Sequence, residues 1–296
     1  MRGFLFHFMK FVLKKIKAGI DELLFLVNKH KFQFKPVFII GCGRSGTTIL
    51  GQTLAQHSDI HYLNERRDLW HKAYPQFNIW SSDNNRKKLV ADKSDHKSAQ
   101  TDCLRRLFFK EQVLSKKSIL LEKLPINSFR MDFLTTAFPD AKFIYLHRNG
   151  LEVCRSIEKA IEKGNWHGKN KLKYKLLESY ARSKHLDFID EIKSSKEQAM
   201  LEWRLSIESS DSSFKNLSQE SYTSLSYYDF TKAFDSSISS VLDFLCLSYS
   251  KKLILKWSKE IKPNDSQGHI DNTFLKTIGG PFLEMSMQNT YYPKGK

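Results

Sequence analysis

A chain of 296 residues, 41% hydrophobic and 13% aromatic, has the composition of a packed globular protein and is long enough for one sizeable α/β domain with an appendage. Its formal charge of +16 admits nucleic acid, an anionic membrane surface or a small polyanion as partner, but no zinc-finger spacing, aromatic RNA-binding signature or basic-helix zipper supports nucleic acid. Cys42, Cys103, Cys154 and Cys246 form no C-x-x-C pair and the ten histidines show no ligand spacing, so reduced thiols and no metal are expected.

The first 35 residues differ from the rest. Leu5, Met9, Val12, Ile16, Ile20, Leu23 and Val27 recur at three- and four-residue steps, while Lys10, Lys14, Lys15 and Lys17 fall largely off that stripe. No run of 18 residues is free of charge, so a transmembrane span is not expected. The lysines also interrupt the apolar core that a signal peptide needs. Such a stripe either packs on a domain or lies on a membrane, and both remain open. The expected division is a basic amphipathic arm over 1–35 and one domain over 36–296, in a cytoplasmic protein with peripheral membrane contact as an option.

Beyond the arm, strand-like runs alternate with helical patterns. Strands are expected at Val37–Ile40, Ile60–Leu63, Ser118–Glu122, Lys142–Leu146 and Leu225–Tyr228. Helical patterns fill Gly46–Gln56, Ser128–Phe138, Leu151–Lys163 and Thr231–Leu245, and the lysine-rich stretches Asp83–Lys117 and Asn170–Ser209 also read as helical. Loops are expected at the serine-rich Ser209–Ser221, at Pro263–Gly268 and at Thr277–Pro281. Alternation of this kind predicts an α/β fold with a central, mainly parallel sheet and crossover helices.

Two stretches carry the chemistry. In "PVFIIGCGRSGTTILGQTL", Pro36 to Leu54, an apolar strand breaks at Gly41 and Gly43, and a helix begins near Gly46. That geometry aims backbone N–H groups at an anion. The nucleotide-triphosphate loop G-x-x-x-x-G-K-[ST] has a lysine where this chain has Thr47. In "KFIYLHRNGLEVCRSI", Lys142 to Ile157, a strand ends at Arg148, Asn149–Gly150 makes a turn, and a helix carries Ser156. An arginine at a strand's carboxyl end lies where open parallel sheets bind ligands, and its planar fork suits phosphate. Together the stretches suggest a ligand with two anionic ends.

This pair of motifs resembles the sulfotransferases that use 3′-phosphoadenosine-5′-phosphosulfate (PAPS), and their P-loop NTPase-like three-layer fold is what the resemblance implies. Arg44, Ser45, Gly46, Thr47 and Thr48 match the R-S-G-T-T loop that cradles the 5′-phosphosulfate in that family. Arg148 and Ser156, eight residues apart, match the pair that binds the 3′-phosphate. The likeness runs from about Pro36 to Leu247 and is nearest to the tyrosylprotein and carbohydrate-type branch. There, a glutamate about twenty residues after the loop arginine acts as base. Glu65, in "HSDIHYLNERRDLW", lies twenty-one residues beyond Arg44. The branch's Lys-x-Pro matches Lys123, Leu124 and Pro125, and "LSYYDFTKAF" places Asp229 in the acidic position of its Tyr-Glu-Asp-Leu segment. The last 50 or so residues match poorly; Lys276 with Gly279 and Gly280, or Lys262 near Ser266, are candidates to complete the cofactor site.

The resemblance thus implies transfer of a sulfuryl group from PAPS to a hydroxyl of a glycan, protein tyrosine, lipid or small alcohol, leaving adenosine 3′,5′-bisphosphate and needing no metal. Glu65, Lys123 and Arg44 would be catalytic. A solvated Glu-Arg-Arg-Asp run is the plain alternative for Glu65, and a surface lysine for Lys123. His61 and His147 are rival bases. Two other functions remain: a P-loop small-molecule kinase, which normally needs the missing lysine, and a non-catalytic nucleotide-binding module at a membrane surface.

Overall fold

The computed structural model describes residues 2–83, 86–164, 166–259 and 273–287. In chain order its helices and strands are α1 (Arg2–Asn28), β1 (Pro36–Ile40), α2 (Thr47–Leu54), β2 (Ile60–Asn64), α3 (Arg67–Ala73), α4 (Ser98–Ser115), β3 (Ile119–Lys123), α5 (Met131–Ala137), β4 (Lys142–His147), α6 (Gly150–Glu162), α7 (Leu172–Ser183), α8 (Ser195–Phe214), β5 (Tyr222–Ser226), α9 (Tyr227–Lys232), α10 (Phe234–Phe244), α11 (Lys251–Ser258) and α12 (Thr273–Met287). The five strands form one sheet in the order β2-β3-β1-β4-β5, and every pairing is parallel.

A sheet covered on both faces favours strands that are nearly all apolar; β1 and β3 are buried at every position, and in β3 the buried run ends in Glu122 and Lys123. Phe38 and Ile40 face one core, with Phe143 and Tyr145 of β4 and helices α3 to α6 and α8. Val37 and Ile39 face the other, with Leu50 and Leu54 of α2, Ile238 and Val241 of α10, and Trp257 of α11. The result is the expected three-layer α/β fold. Because all strands run the same way, their carboxyl ends gather on one edge, and the β1 loop, Glu65, Lys123 and Arg148 all follow such ends.

Four local expectations are corrected. The serine-rich Ser209–Ser221 is not one loop, since α8 continues to Phe214 with Ser210, Asp211 and Phe214 buried. Its hydroxyls are satisfied locally or across the core, as Ser210 donates to the Ser128 carbonyl (3.4 Å) and Ser213 to Asp132 (3.0 Å). The last strand ends at Ser226 rather than reaching Tyr228, because the Ser226 hydroxyl accepts from Asp229 N–H (2.9 Å) and so caps α9. Thr277–Pro281 is a kink inside α12, at Gly280 (φ 58°), rather than a loop. Within Asp83–Lys117 the α-helix is confined to α4. Pro263–Gly268 lies outside the described residues.

Beneath β3 lies a polar knot that the sequence did not announce. Glu122 is fully buried and accepts from Trp70 Nε1 (3.0 Å) and Asn127 Nδ2 (2.9 Å). Burial pushes its carboxyl up to about 7, against the pull of the Trp70 hydrogen bond and of Lys123 and Arg130. An unfolded chain releases this proton in the ordinary carboxylate range, so stability should fall as pH rises from about 4.5 to about 7 and then level off. Glu122→Gln should abolish that slope and cost no more than about 1 kcal/mol, because a flipped Asn127 can accept through Oδ1, which has no partner. Glu122→Ala should cost about 1–3 kcal/mol for each donor left unpaired. Denaturant melts across this pH range check all three outcomes.

Candidate active site

The loop after β1 is shaped by close approaches that only glycine permits. A Cβ on Gly41 would meet the Leu146 carbonyl oxygen of β4 at 2.4 Å. Gly46 adopts φ 98°, and a Cβ there would meet the Tyr227 ring at 2.4 Å. Arg44 also has positive φ (71°), and Ser45 N–H donates to Cys42 O (3.2 Å), which tightens the turn. Helix α2 opens at Thr47, so its first amides face away from the sheet without helical partners. Ser45 is fully buried, and its hydroxyl has no partner.

Lys123, at the end of β3, is fully buried. Its Nζ donates to Thr48 Oγ1 (2.9 Å) in the first turn of α2 and to Glu65 Oε1 (2.7 Å). Glu65 follows β2 with φ 54°, and its N–H donates to Lys123 O (2.9 Å), so backbone and side chain are tied to the same residue. Its second oxygen accepts from Arg67 Nη2 (2.5 Å), while the Arg67 guanidinium stacks on Trp80 at 3.8 Å. Burial works to raise the Glu65 carboxyl, but Lys123 and Arg67 outweigh it and hold the group below the usual carboxylate range. Glu65 therefore carries its charge at neutral pH.

Arg148, after β4, donates through Nε to Glu152 (2.6 Å) and through Nη1 to the Arg44 carbonyl (3.5 Å). Its guanidinium lies over the Tyr227 ring at 4.1 Å. Arg44 Nε in turn donates to Ser156 Oγ on α6 (3.0 Å), joining the two sequence motifs. Gly43, Arg44, Gly46, Thr47, Thr48, Glu65, Arg148 and Ser156 line one cavity of about 240 Å³, walled also by Ile49, Pro125 and Trp166. Of the residues singled out in the sequence, Ser45 lies beneath this cavity and Lys123 reaches it through Thr48 and Glu65.

A second cavity of about 160 Å³ adjoins the first and shares Gly43, Glu65, Pro125 and Trp166 with it. Trp80, Ile126, Phe129 and Arg67 form its walls, and Ser128, Lys173, Glu202 and Ser206 its polar lining. Glu202 is buried and accepts from Lys173 Nζ (2.5 Å) and Trp166 Nε1 (2.7 Å). Of the two arginines beside Glu65, whose approach would favour its ionised form, Arg67 bonds it and Arg66 turns to Asp68 and Glu111. Sequence reasoning missed Tyr227, Trp80, Trp166, Lys173 and Glu202, and only Tyr227, within the quoted "LSYYDF", carried a local signal.

The rival bases stand elsewhere. His147 lines neither cavity, and burial pushes it down to about 4 despite the Asp229 charge, which keeps it neutral. His61 lies 3.6 Å from Glu111 on α4 and lines neither cavity. Asp229 accepts from the Ser226 hydroxyl (2.7 Å) at the start of α9. Lys276 is exposed on α12 and lines neither cavity, and Lys262 and Ser266 lie outside the described residues. Helix α12 instead supports the Arg148 turn, as Gly150 N–H donates to Ser286 Oγ (3.1 Å).

A family model described as the sulfotransferase family matches residues 36–251. No curated protein matches the sequence. Among solved structures, the sulfotransferase domain of the curacin biosynthetic pathway aligns at 17% identity over 75% of this chain and 77% of that one, with a TM-score of 0.48. A sulfotransferase from Alicyclobacillus acidocaldarius aligns at 14% identity over 86% and 93%, with a TM-score of 0.46. A mouse sulfotransferase complexed with PAP aligns at 13% identity over 90% and 86%, with a TM-score of 0.39.

The packing of Tyr227 on Gly46 is directly testable. Gly46→Ala should cost about 1–2 kcal/mol from the left-handed backbone alone, with the ring clash added. In a double-mutant cycle, Tyr227→Ala should relieve the clash but not the backbone term, so the double variant should be more stable than the sum of the single losses predicts. Thermal or urea unfolding of the four proteins measures the difference.

Proposed function

Because the chain belongs to the sulfotransferase family, we propose that it transfers the sulfuryl group of PAPS to a hydroxyl acceptor. The observation that carries this reading is the position of Glu65. Its carboxylate lines both cavities and is bonded to Lys123, which also holds the first turn of the anion-binding helix. The first cavity suits the donor. The α2 amides over Gly46–Thr48 would hold the phosphosulfate end, and Arg148 and Ser156 the 3′-phosphate; the Arg44 guanidinium, expected at the phosphosulfate and in catalysis, bonds Ser156 and so would join the 3′-phosphate side instead. The unpartnered Ser45 hydroxyl and the close glycine turn fit such a polyanion.

When bound, PAPS supplies an activated sulfuryl group and a bisphosphate leaving group. The chain's own residues then have three tasks. The helix amides and Lys123 stabilise negative charge where it develops on the leaving side. Lys123 would supply from β3 the positive charge that the loop itself lacks after Gly46, since its ammonium reaches Thr48 in the first turn of α2. Glu65, ionised at neutral pH, accepts the proton of an acceptor hydroxyl presented from the second cavity. An oxygen becomes available to that hydroxyl when Lys123 turns toward the donor, or when the Arg67 guanidinium, already stacked on Trp80, releases the second Glu65 oxygen. The walls of Trp80, Trp166, Ile126 and Phe129 favour an acceptor whose hydroxyl is carried on an apolar or ring-faced body.

Adenosine 3′,5′-bisphosphate should raise the melting temperature equally with and without EDTA, and adenosine 5′-monophosphate should do much less. Arg148→Ala should lose about 1.5–3 kcal/mol of bisphosphate affinity by calorimetry, with Ser156→Ala weaker in the same direction. A protein stabilised only by magnesium–ATP would point to a kinase instead.

Glu65→Gln should lower single-turnover sulfation by about 10²–10⁴-fold while leaving donor affinity nearly intact. Lys123→Ala should reduce both turnover and affinity. Since Glu65 titrates below the ordinary 4.5, the acid limb of the kcat/KM profile should also lie below that value. Bisphosphate binding combined with normal turnover in Glu65→Gln would remove Glu65 from the mechanism. Bisphosphate binding without turnover on any acceptor would favour the non-catalytic nucleotide-binding module.

A further inference from the structure

The structure separates the two faces of α1 in a way the sequence leaves open. At 3.6 residues per turn, Phe8, Val12, Leu23, Ile16, Met9, Val27, Ile20, Leu13 and Leu24 fall on one arc of about 160°. The helix meets the domain through nearly the opposite side. Phe25 is 2% exposed and packs edge-on against Phe109 of α4 (ring centroids 5.7 Å), and Glu22 bonds Lys110 (2.8 Å) and Arg106. Every residue from Phe6 to Ile20 is exposed, including Leu13 at 61% and Ile16 at 53%. The apolar stripe is therefore not the face that packs on the domain.

The borders of that arc are basic. Lys10, Lys14 and Lys17 run along one side and Lys15 along the other, and Lys15 also covers Phe11, which lies off the arc, at 4.7 Å. Apolar side chains flanked by lysines match an interface in which acyl chains lie below anionic headgroups. No described helix is long and apolar enough to cross a membrane. We propose that α1 lies in the plane of an anionic lipid surface, with its apolar arc in the acyl boundary and its lysines at the headgroups. The contact through Phe25 and Glu22 then holds the domain on the cytosol-like, aqueous side of the helix. The chemistry of the occupant is that of a bilayer rather than a protein groove, because lysines flank the exposed apolar arc on both sides over residues 10–17.

The full chain should co-sediment with vesicles of phosphatidylcholine and phosphatidylglycerol far more than with phosphatidylcholine alone, and added salt should release it. Lys14→Gln with Lys17→Gln should weaken partitioning about tenfold or more. Leu13→Glu with Ile16→Glu should abolish it with no loss of melting temperature, since neither residue is buried. Binding to neither vesicle, or equal binding to both, overturns the proposal. So does a fall in melting temperature in the Leu13 and Ile16 variant, which would mean that the stripe packs on the domain. A dimer in sedimentation velocity that this variant dissolves, without vesicle binding, assigns the face to a second copy of the chain and likewise overturns it.

Discussion

The Lys123 ammonium is fully buried at the carboxyl end of β3, and a charge in that position requires partners held within hydrogen-bond reach. Glu65 and Thr48 meet that requirement from two different elements. Three parts of the chain are thereby fixed to one point: the end of β3, the turn after β2 and the first turn of α2. Glu65 accepts a left-handed backbone to reach it (φ 54°), and its own N–H closes onto the Lys123 carbonyl. A buried ion pair of this kind adds little net stability, because desolvation offsets most of the attraction. Its effect is on position. It sets a carboxylate between two cavities and a cation beside the anion-binding loop.

The parallel sheet explains why these residues can meet at all. In the order β2-β3-β1-β4-β5, the chain leaves β1 for one side of the sheet and returns through β3 to the other side at β4. Loops from strands far apart in sequence then share the edge where the carboxyl ends gather. Arg44 and Ser156 are 112 residues apart and bond directly, and Lys123 and Thr48 are 75 apart. Tyr227 links the far side, packing on Gly46 and lying beneath the Arg148 guanidinium. The first cavity is thus built on packed residues, with Arg44 and Arg148 in its lining and Glu152 paired to Arg148 beside it.

The second cavity has a different character. Its polar lining is anchored by Glu202, which gathers Lys173 and the Trp166 indole, and its walls are aromatic. Trp166 lies against Gly43, where a Cβ would meet its ring at 2.8 Å, so the indole divides the two spaces and touches the loop that forms the first. Glu202 and Lys173 compensate one another where an unpaired charge would be costly. Under the proposed function, an acceptor entering there would meet flat aromatic surfaces and the ionised carboxylate of Glu65.

The sequence by itself determined the strand–glycine–helix unit at Pro36–Leu54, the Arg148 and Ser156 pair and the alternation that makes a parallel sheet. Each is legible because its physics is local: a turn needing glycine, a helix terminus, a strand end and a fixed spacing along one helix. Glu65 and Lys123 were legible as matches to a family pattern, but the bond between them was not, since it joins β2 to β3. The serine-rich stretch misled, because composition reports polarity while the burial of Ser210, Asp211 and Phe214 depends on what α8 packs against. The arm makes the same point at larger scale. Its stripe and its lysines were plain in the sequence. Which side of the helix faces the domain was decided only by Phe25 meeting Phe109 and Glu22 meeting Arg106 and Lys110, contacts across more than 80 residues that no local pattern encodes.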